Sequence, residues 1–125
     1  MDLDSAILYT NDVSKIRKFY EDVVGLRCEY QDQDNYVSFI FPNGAKLGIN
    51  KSVLTEREKP GGQTVFIRVT DMASQKEKYE QLGYTFYEPY VEYDWGKYFA
   101  ILDPDGNKVG FISPNENYQG SRPAD

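Results

Sequence analysis

The chain has 125 residues, with 14 Lys and Arg against 20 Asp and Glu, a formal net charge of -6 and no histidine. This length suits one domain or two half-size units that share a core, and the negative charge argues against nucleic acid and anionic membranes as partners. The absence of histidine removes the commonest general base and the commonest zinc ligand, so it excludes a histidine-containing triad and a histidine-ligated metal site.

The first half of the chain is predicted to fold as a strand, a helix and three further strands. Residues 3–10 favour a strand because Ile, Tyr and Thr are common in sheets. Asp12 supplies a helix N-cap, apolar residues then recur at helical spacing, and Gly25 ends the helix. The next strands are expected over residues 27–31, 36–41 and 45–50.

The second half repeats this order after a charged segment, residues 51–62, which ends in Pro-Gly-Gly and is predicted to be a linker. A strand is expected over 63–69, and Asp71 caps a helix over 72–82 that ends at Gly83. The remaining predictions are a strand over 84–90, a loop over 91–96, strands over 97–102 and 108–113, and a frayed tail over 114–125.

The strongest local signal is the turn Asp103-Pro104-Asp105-Gly106-Asn107. Pro presets φ, Asp and Asn bond the nearby backbone, and Gly accepts a positive φ, so the stretch predicts a hairpin between its apolar flanks. A weaker copy of this turn, Pro42-Asn43-Gly44, occurs in the first half of the chain. It is followed by Leu47-Gly48-Ile49, just as the main turn is followed by Val109-Gly110-Phe111. We therefore expect one domain over 1–125 that contains the same unit twice, as module one over 3–50 and module two over 63–113.

This doubled βαβββ unit resembles the vicinal oxygen chelate superfamily, which includes glyoxalase I, bleomycin-resistance proteins, fosfomycin-resistance enzymes and extradiol dioxygenases. The features that carry the resemblance are Asp12, the pair Phe19-Tyr20, Gly25 and the turn at 103–107. The resemblance covers about residues 3–113 and implies an α+β fold whose two modules form a cup-shaped open barrel.

The resemblance also implies where a metal would be held. In the metalloenzymes of the family, four sheet positions supply His, Glu or Gln, and these positions fall here on Ser5, Gly48, Thr64 and Gly110. Two of these residues have no side chain and two are neutral hydroxyls, which are poor ligands. We therefore expect no metal, no cofactor and no catalytic residue at the family site, as in the metal-free branch that contains the bleomycin-resistance proteins.

Strand alternation predicts which side chains line the cup as a binding site. The candidates on strands are Tyr9, Phe39, Phe66, Arg68, Phe99 and Ile101, and those in the loop are Glu92 and Trp95. The aromatic strand residues are equally consistent with an ordinary core, and Glu92 with a solvated acid. Trp95 lies between polar neighbours, which favours a lid or an interface.

The single cysteine, Cys28, cannot form an internal disulfide, which suits a reducing cytoplasm. The first four residues lack the basic and apolar regions of a signal peptide, which favours the same location. With no histidine to activate it, Cys28 is expected to be a small buried residue and not a nucleophile.

Our first interpretation is a metal-free, cytoplasmic, homodimeric protein that binds an aromatic or cationic small molecule, such as an antibiotic. The second is a lyase, isomerase or dioxygenase of the same fold, with a displaced metal site or a Tyr/Glu acid–base pair. The third is a regulatory or partner-binding module whose cup is filled by its own side chains.

Overall fold

The computed structural model describes residues 1–51 and 60–116. The chain divides into two compact units, one formed by residues 1–63 with 103–106 and the other by 64–102 with the residues from 107 onwards. Among the described residues, no helix is both long enough and apolar enough to cross a membrane.

The first unit contains β1, one helix and β2 to β4. Their bounds are β1 Ala6–Thr10, α1 Val13–Lys18 continuing as a π-helical segment Phe19–Val24, β2 Arg27–Asp32, β3 Tyr36–Ile40 and β4 Lys46–Lys51. The Asp12 carboxylate accepts a 3.1 Å hydrogen bond from the Lys15 amide at the helix start. The helix ends at Gly25, whose φ of 88° is readily adopted only by glycine.

The second unit has the same order of elements. Their bounds are β5 Thr64–Arg68, α2 Met72–Gln81, β6 Glu88–Tyr93, β7 Gly96–Leu102 and β8 Lys108–Pro114. The Asp71 carboxylate accepts a 3.0 Å hydrogen bond from the Ser74 amide, and Gly83 adopts a φ of 84° just beyond the helix. The α+β class and the doubled βαβββ order predicted from the sequence are therefore confirmed.

The two sheets share one topology. Their strand orders are β1-β4-β3-β2 and β5-β8-β7-β6, and in each the first strand pairs in parallel with the last while the other pairs are antiparallel. Each helix covers one face of its own sheet, which we call the helix face, and the opposite face is called the open face.

Each helix face carries an aromatic core anchored by a tyrosine. In the first unit, Tyr20 is fully buried with its ring 6.4 Å from that of Phe39. In the second, Tyr79 is fully buried with its ring 5.0 Å from that of Phe111 and 6.1 Å from that of Phe99. Burial of such large side chains is the main source of stability for each unit.

One sequence prediction of secondary structure is wrong around residues 84–96. The strand expected over 84–90 and the loop expected over 91–96 are instead strand β6, Glu88–Tyr93, followed by a tight turn at residues 94–95. Tyr90, Val91 and Tyr93 are residue types common in strands, and pairing of Val91, Glu92 and Tyr93 with β7 extends the strand into the expected loop. Most of the predicted linker and the tail beyond residue 116 lie outside the described residues.

Candidate functional site

The open face of the second unit is defined by the register of its strands. Phe66 and Ala100 both lie opposite Gly110, and Tyr98 lies opposite Ile112, so these side chains share one face. The neighbouring residues along β7 and β8, Phe99 and Phe111, point to the helix face and are buried there. The open face is thus set by the two-residue period of the strands.

This open face holds a cavity of about 410 Å³. The residues that line it are Phe66, Glu88, Tyr93, Trp95, Tyr98, Lys108 and Ile112. Its size is within the range of small-molecule sites, and its mixture of aromatic rings with one carboxylate and one ammonium group is typical of such sites.

The aromatic lining is arranged as two pairs of rings. Phe66 and Tyr98 have ring centroids 6.0 Å apart and inclined by 56°. Tyr93 and Trp95 are stacked at 5.4 Å with ring planes only 7° apart. Phe66 is 57% exposed although it is a large apolar residue in a strand, so its ring is available for contact with another molecule.

Gly110 makes the space for the first pair of rings. A Cβ atom at this position would lie 2.6 Å from the Phe66 ring and 3.0 Å from the Tyr98 ring, closer than carbon atoms approach without repulsion. The absence of a side chain in the middle of β8 therefore allows both rings to lie over the sheet.

Glu88 is the polar centre of the cavity. Its Oε1 atom accepts a 2.6 Å hydrogen bond from the Tyr98 hydroxyl and lies 2.8 Å from Lys108 Nζ. Lys108 Nζ also lies 5.4 Å from the centre of the Phe66 ring, a cation–π contact. The carboxylate, the phenol and the ammonium group therefore form one connected network beside the aromatic rings.

The network shifts the pKa values of its members in opposite directions. Hydrogen bonds from Lys108 and Tyr98 lower the pKa of the Glu88 carboxyl, and the hydrogen bond to Glu88 raises the pKa of Lys108. Burial, followed by the hydrogen bond to Glu88, raises the pKa of Tyr98 to about 12. At neutral pH, Glu88 is therefore a carboxylate, Lys108 an ammonium ion and Tyr98 a neutral phenol.

The first unit carries a reduced version of the same arrangement. Lys46 Nζ lies 3.2 Å from a Glu29 oxygen, and the Ser38 hydroxyl donates a 3.4 Å hydrogen bond to the other oxygen. A Cβ atom on Gly48 would lie 2.6 Å from Ile7 and 2.9 Å from the Tyr36 ring. On the open face of the first unit, Ile7 thus occupies the place that Phe66 occupies on the open face of the second unit.

The residues at the family's metal positions do not fit a metal ion. Rings or apolar atoms occupy the space where side chains of residues 48 and 110 would project, as described above. Ser5 donates a hydrogen bond to the neighbouring Asp4, and Thr64 supplies only a hydroxyl. In the part of the chain that the structure describes, no three His, Cys, Asp or Glu side chains come together to hold a metal.

Of the predicted binding residues, Phe66 and Trp95 line the cavity. Arg68 is on the same open face, opposite Ile112, but is not part of the lining. Tyr9 is on the open face of the first unit, opposite Asn50. The structure thus brings two of the eight candidates together.

The expectation that Phe39, Phe99 and Ile101 face the cup is wrong. They lie opposite Leu47, Phe111 and Val109, which places all three on helix faces, and they are fully buried. The prediction took the wrong parity along β3 and β7, and a shift of one residue moves a side chain to the other face.

Glu92 is also placed differently from its prediction. It belongs to β6, not to a loop, and pairs with Lys97, on the face opposite to Tyr93 and Tyr98. Its carboxylate accepts a 2.9 Å hydrogen bond from Tyr90. Cys28, expected to be buried, is only half-buried and lies opposite Phe39.

The sequence predictions missed Glu88, Tyr93 and Tyr98 as cavity residues. Tyr98 was detectable, because it occupies the position in the second module that Tyr36 occupies in the first. It also lies two residues from Ala100, which pairs with Gly110, so Tyr98 and Gly110 share one face of the sheet. Glu88 was not detectable, since a register irregularity lies between Glu88 and Val91 and irregular pairing leaves no simple sequence signal.

The repeated βαβββ unit, with an open sheet face that carries a cavity in its second copy, defines a class of small α+β proteins. The family model described as Glyoxalase/Bleomycin resistance protein/Dioxygenase superfamily matches residues 2–111. The chain belongs to this superfamily, and the resemblance seen in the sequence is confirmed.

Solved structures with the same fold include proteins with different roles. Lactoylglutathione lyase from Agrobacterium tumefaciens is 21% identical, with a TM-score of 0.73 over 90% of this chain and 92% of that one. TnmS3, an antibiotic binding protein from Streptomyces sp. CB03234, is 18% identical, with a TM-score of 0.76 over 92% of this chain and 97% of that one. A glyoxalase/dioxygenase from Nostoc punctiforme is 15% identical, with a TM-score of 0.76 over 92% of each chain.

A search of curated proteins finds no match to this chain. At identities this low, the structural similarity establishes the fold and leaves the activity to be argued from the site itself.

Proposed function

We propose that this protein binds a flat aromatic small molecule in the cavity of its second unit, without a metal ion and without changing the molecule chemically. The observation that carries the proposal is the occupation of the space beside Gly110 by the rings of Phe66 and Tyr98. The position from which relatives hold a metal is here part of an aromatic surface. Such surfaces contribute about 0.5–1.5 kcal/mol for each aromatic contact beyond the burial of area.

The net charge supports a preference for cationic over anionic ligands. A charge of -6 creates a negative potential that attracts cations to the protein. Lys46 and Lys108, which would oppose this attraction on the open faces, each form an ion pair with a glutamate. A cation approaching the cavity therefore meets aromatic rings, which are favourable partners, beside a Glu88–Lys108 pair whose charges offset each other.

The enzymatic alternative rests on the pairing of Tyr98 with Glu88, which is the kind of Tyr/Glu pair that acid–base chemistry would use. Its pKa values argue against that use at neutral pH. The pKa of the phenol is raised and that of the carboxyl is lowered, so both move away from the range in which a proton is exchanged readily. The pair is better suited to holding fixed hydrogen-bonding groups toward a ligand.

We extend the proposal to the biological setting of the protein. Its role would be to sequester a compound such as an antibiotic in the cytoplasm, as a homodimer. The antibiotic binding protein TnmS3 has the same fold, which supports this role. Analytical ultracentrifugation at tens of micromolar should give a mass of twice 14.4 kDa, and a single species of 14.4 kDa would contradict the dimer.

The binding proposal can be tested with a matched set of tricyclic probes: 9-aminoacridine, which is cationic, acridine, which is neutral, and acridine-9-carboxylate. Trp95 is the only tryptophan, so the tryptophan emission comes from one residue, which lines this cavity. We expect saturable changes in Trp95 emission, with micromolar or tighter affinity for the cation and weaker affinity for the carboxylate. Unchanged emission with all three probes would contradict the proposal.

Two variants identify the place of binding. Trp95→Ala should weaken 9-aminoacridine binding by about 1–3 kcal/mol, as hot-spot aromatic residues do, measured by calorimetry because the variant lacks tryptophan. Tyr87→Ala is the control, since Tyr87 is 60% exposed and is not among the residues that line the cavity. Equal affinity in the wild type and Trp95→Ala would place the ligand elsewhere.

A further inference from the structure

We infer that the ligand of the cavity in the second unit carries, on one edge of its aromatic ring, a hydrogen-bond donor directly beside an acceptor, as in a lactam. This inference rests on the proposed function and specifies the chemical class of its ligand. It follows from the way in which the network of Glu88, Lys108 and Tyr98 leaves hydrogen-bonding groups unused beside the rings.

A single oxygen of the Glu88 carboxylate contacts both Tyr98 and Lys108. The Tyr98 hydroxyl and Lys108 Nζ both meet Oε1, at 2.6 and 2.8 Å. A carboxylate offers about four acceptor sites over its two oxygens. The side chain of Glu88 is 39% exposed and lines the cavity, so Oε2 is an acceptor that a ligand can reach.

Lys108 supplies the complementary donor. An ammonium group has three N–H bonds, and the contacts with Glu88 and with the Tyr98 hydroxyl use two of these directions. The Lys108 side chain is 27% exposed and lines the same cavity. Because Nζ lies next to the carboxylate, the cavity presents an acceptor and a donor side by side.

The surrounding rings fix how a ligand would meet this pair. Phe66 lies against both Lys108 and Tyr98, and Trp95 belongs to the same lining. A flat ring that contacts these aromatic faces reaches the ion pair with an atom of its edge. A lactam edge would donate its N–H to Glu88 Oε2 and accept from Lys108 Nζ with its carbonyl oxygen. Both groups of the protein would then be satisfied without breaking the ion pair.

This inference differs from simple recognition of a cation. Glu88 already has an ammonium partner, so a plain ammonium ligand would compete with Lys108 for the same carboxylate. A donor–acceptor edge uses what the pair leaves open, while a positive charge elsewhere on the ligand would still be favoured by the net charge.

The test compares 2-quinolinone, which has the lactam edge, with 1-methyl-2-quinolinone, which lacks the N–H donor, by calorimetry. The wild-type protein should bind 2-quinolinone about tenfold more tightly, the effect expected of one hydrogen bond to a charged group. In Glu88→Gln the amide can turn its N–H₂ toward the ligand donor, so the preference should disappear. Glu80→Gln is the matched control, since Glu80 forms a 3.2 Å pair with Lys76 on α2 and should leave the preference intact.

The outcomes separate this inference from the proposed function. Equal binding of the two probes by the wild type, or an unchanged preference in Glu88→Gln, would overturn the edge recognition while aromatic binding stands. Failure of both probes and of 9-aminoacridine to bind would overturn both proposals.

A second variant tests the same inference if Glu88→Gln does not fold. Lys108→Met removes the donor and keeps an apolar side chain near Phe66. It should weaken both quinolinones several-fold and leave naphthalene, which has neither a donor nor an acceptor, unaffected. Equal losses for all three probes would overturn the inference.

Discussion

The hydroxyl of Tyr20 donates a 2.7 Å hydrogen bond to Asp103 Oδ2, and both side chains are buried in the first unit. The other oxygen of Asp103 accepts a 2.9 Å hydrogen bond from the Asp105 amide. This carboxylate therefore joins the aromatic core beside α1 to the turn at residues 103–106. Burial and the charge of Asp103 together raise the pKa of Tyr20, so the phenol stays protonated and remains the donor.

Tyr20→Phe should lower the free energy of unfolding by about 1–3 kcal/mol, because it removes a hydrogen bond to a buried, charged carboxylate. Urea denaturation followed by circular dichroism measures the change. Tyr87→Phe removes an exposed hydroxyl and should change the stability by less than about 0.5 kcal/mol. A Tyr20→Phe variant as stable as Tyr87→Phe would show that the hydrogen bond does not stabilise the fold.

Stability should decrease as the pH rises above about 10. The pKa of Tyr98 is about 12 in the folded protein against an ordinary value of 10.0, and the pKa values of Tyr20 and Tyr79 are also raised. Above pH 10 the unfolded chain loses these protons while the folded chain keeps them. The folded state then binds more protons than the unfolded state, and unfolding becomes more favourable with rising pH.

Urea midpoints measured from pH 8 to 11 test this dependence. Below pH 9 the contribution of these tyrosines should be constant, and it should decline through pH 10 and above. Tyr98→Phe should make the decline shallower, since it removes one of the raised groups. A midpoint that is constant or rises over this range would contradict the assigned directions.

Gly110→Ala should impair ligand binding more than folding. The added Cβ would lie 2.6 Å from the Phe66 ring, and Phe66 is exposed enough to rotate away from the sheet. We expect a stability change below about 1 kcal/mol, since a displaced side chain relieves the overlap, and a several-fold loss of affinity for 9-aminoacridine. In Phe66→Leu/Gly110→Ala the overlap is smaller, so the additional effect of the alanine should shrink.

Much of the fold was predictable because local signals agree with it. Asp12 and Asp71 cap helices, Gly25 and Gly83 end them, and the repeated turns mark equivalent strand pairs. The extension of β6 was not predictable from its mixed sequence, because pairing with β7 determines where that strand ends.

The site was predictable only in part, for reasons of geometry. Phe66 follows from the position of Gly110 by direct pairing, and Trp95 stands out by its polar neighbours. Phe99 was predicted on the open face because the pairing assumed across the hairpin was off by one residue, whereas the observed register places Phe99 in the core and Tyr98 on the open face. The choice between adjacent strand residues depends on parity, and hydrophobicity alone does not decide it.

The most direct test of the proposed binding site is a crystal structure of the protein with 9-aminoacridine, prepared after dialysis against a metal chelator. The account predicts the acridine ring in contact with Phe66, Tyr98 and Trp95 in the second unit, with no metal ion between ligand and protein. An acridine bound elsewhere while this cavity stays empty would contradict it. So would binding that appears only after zinc, nickel or iron is added back.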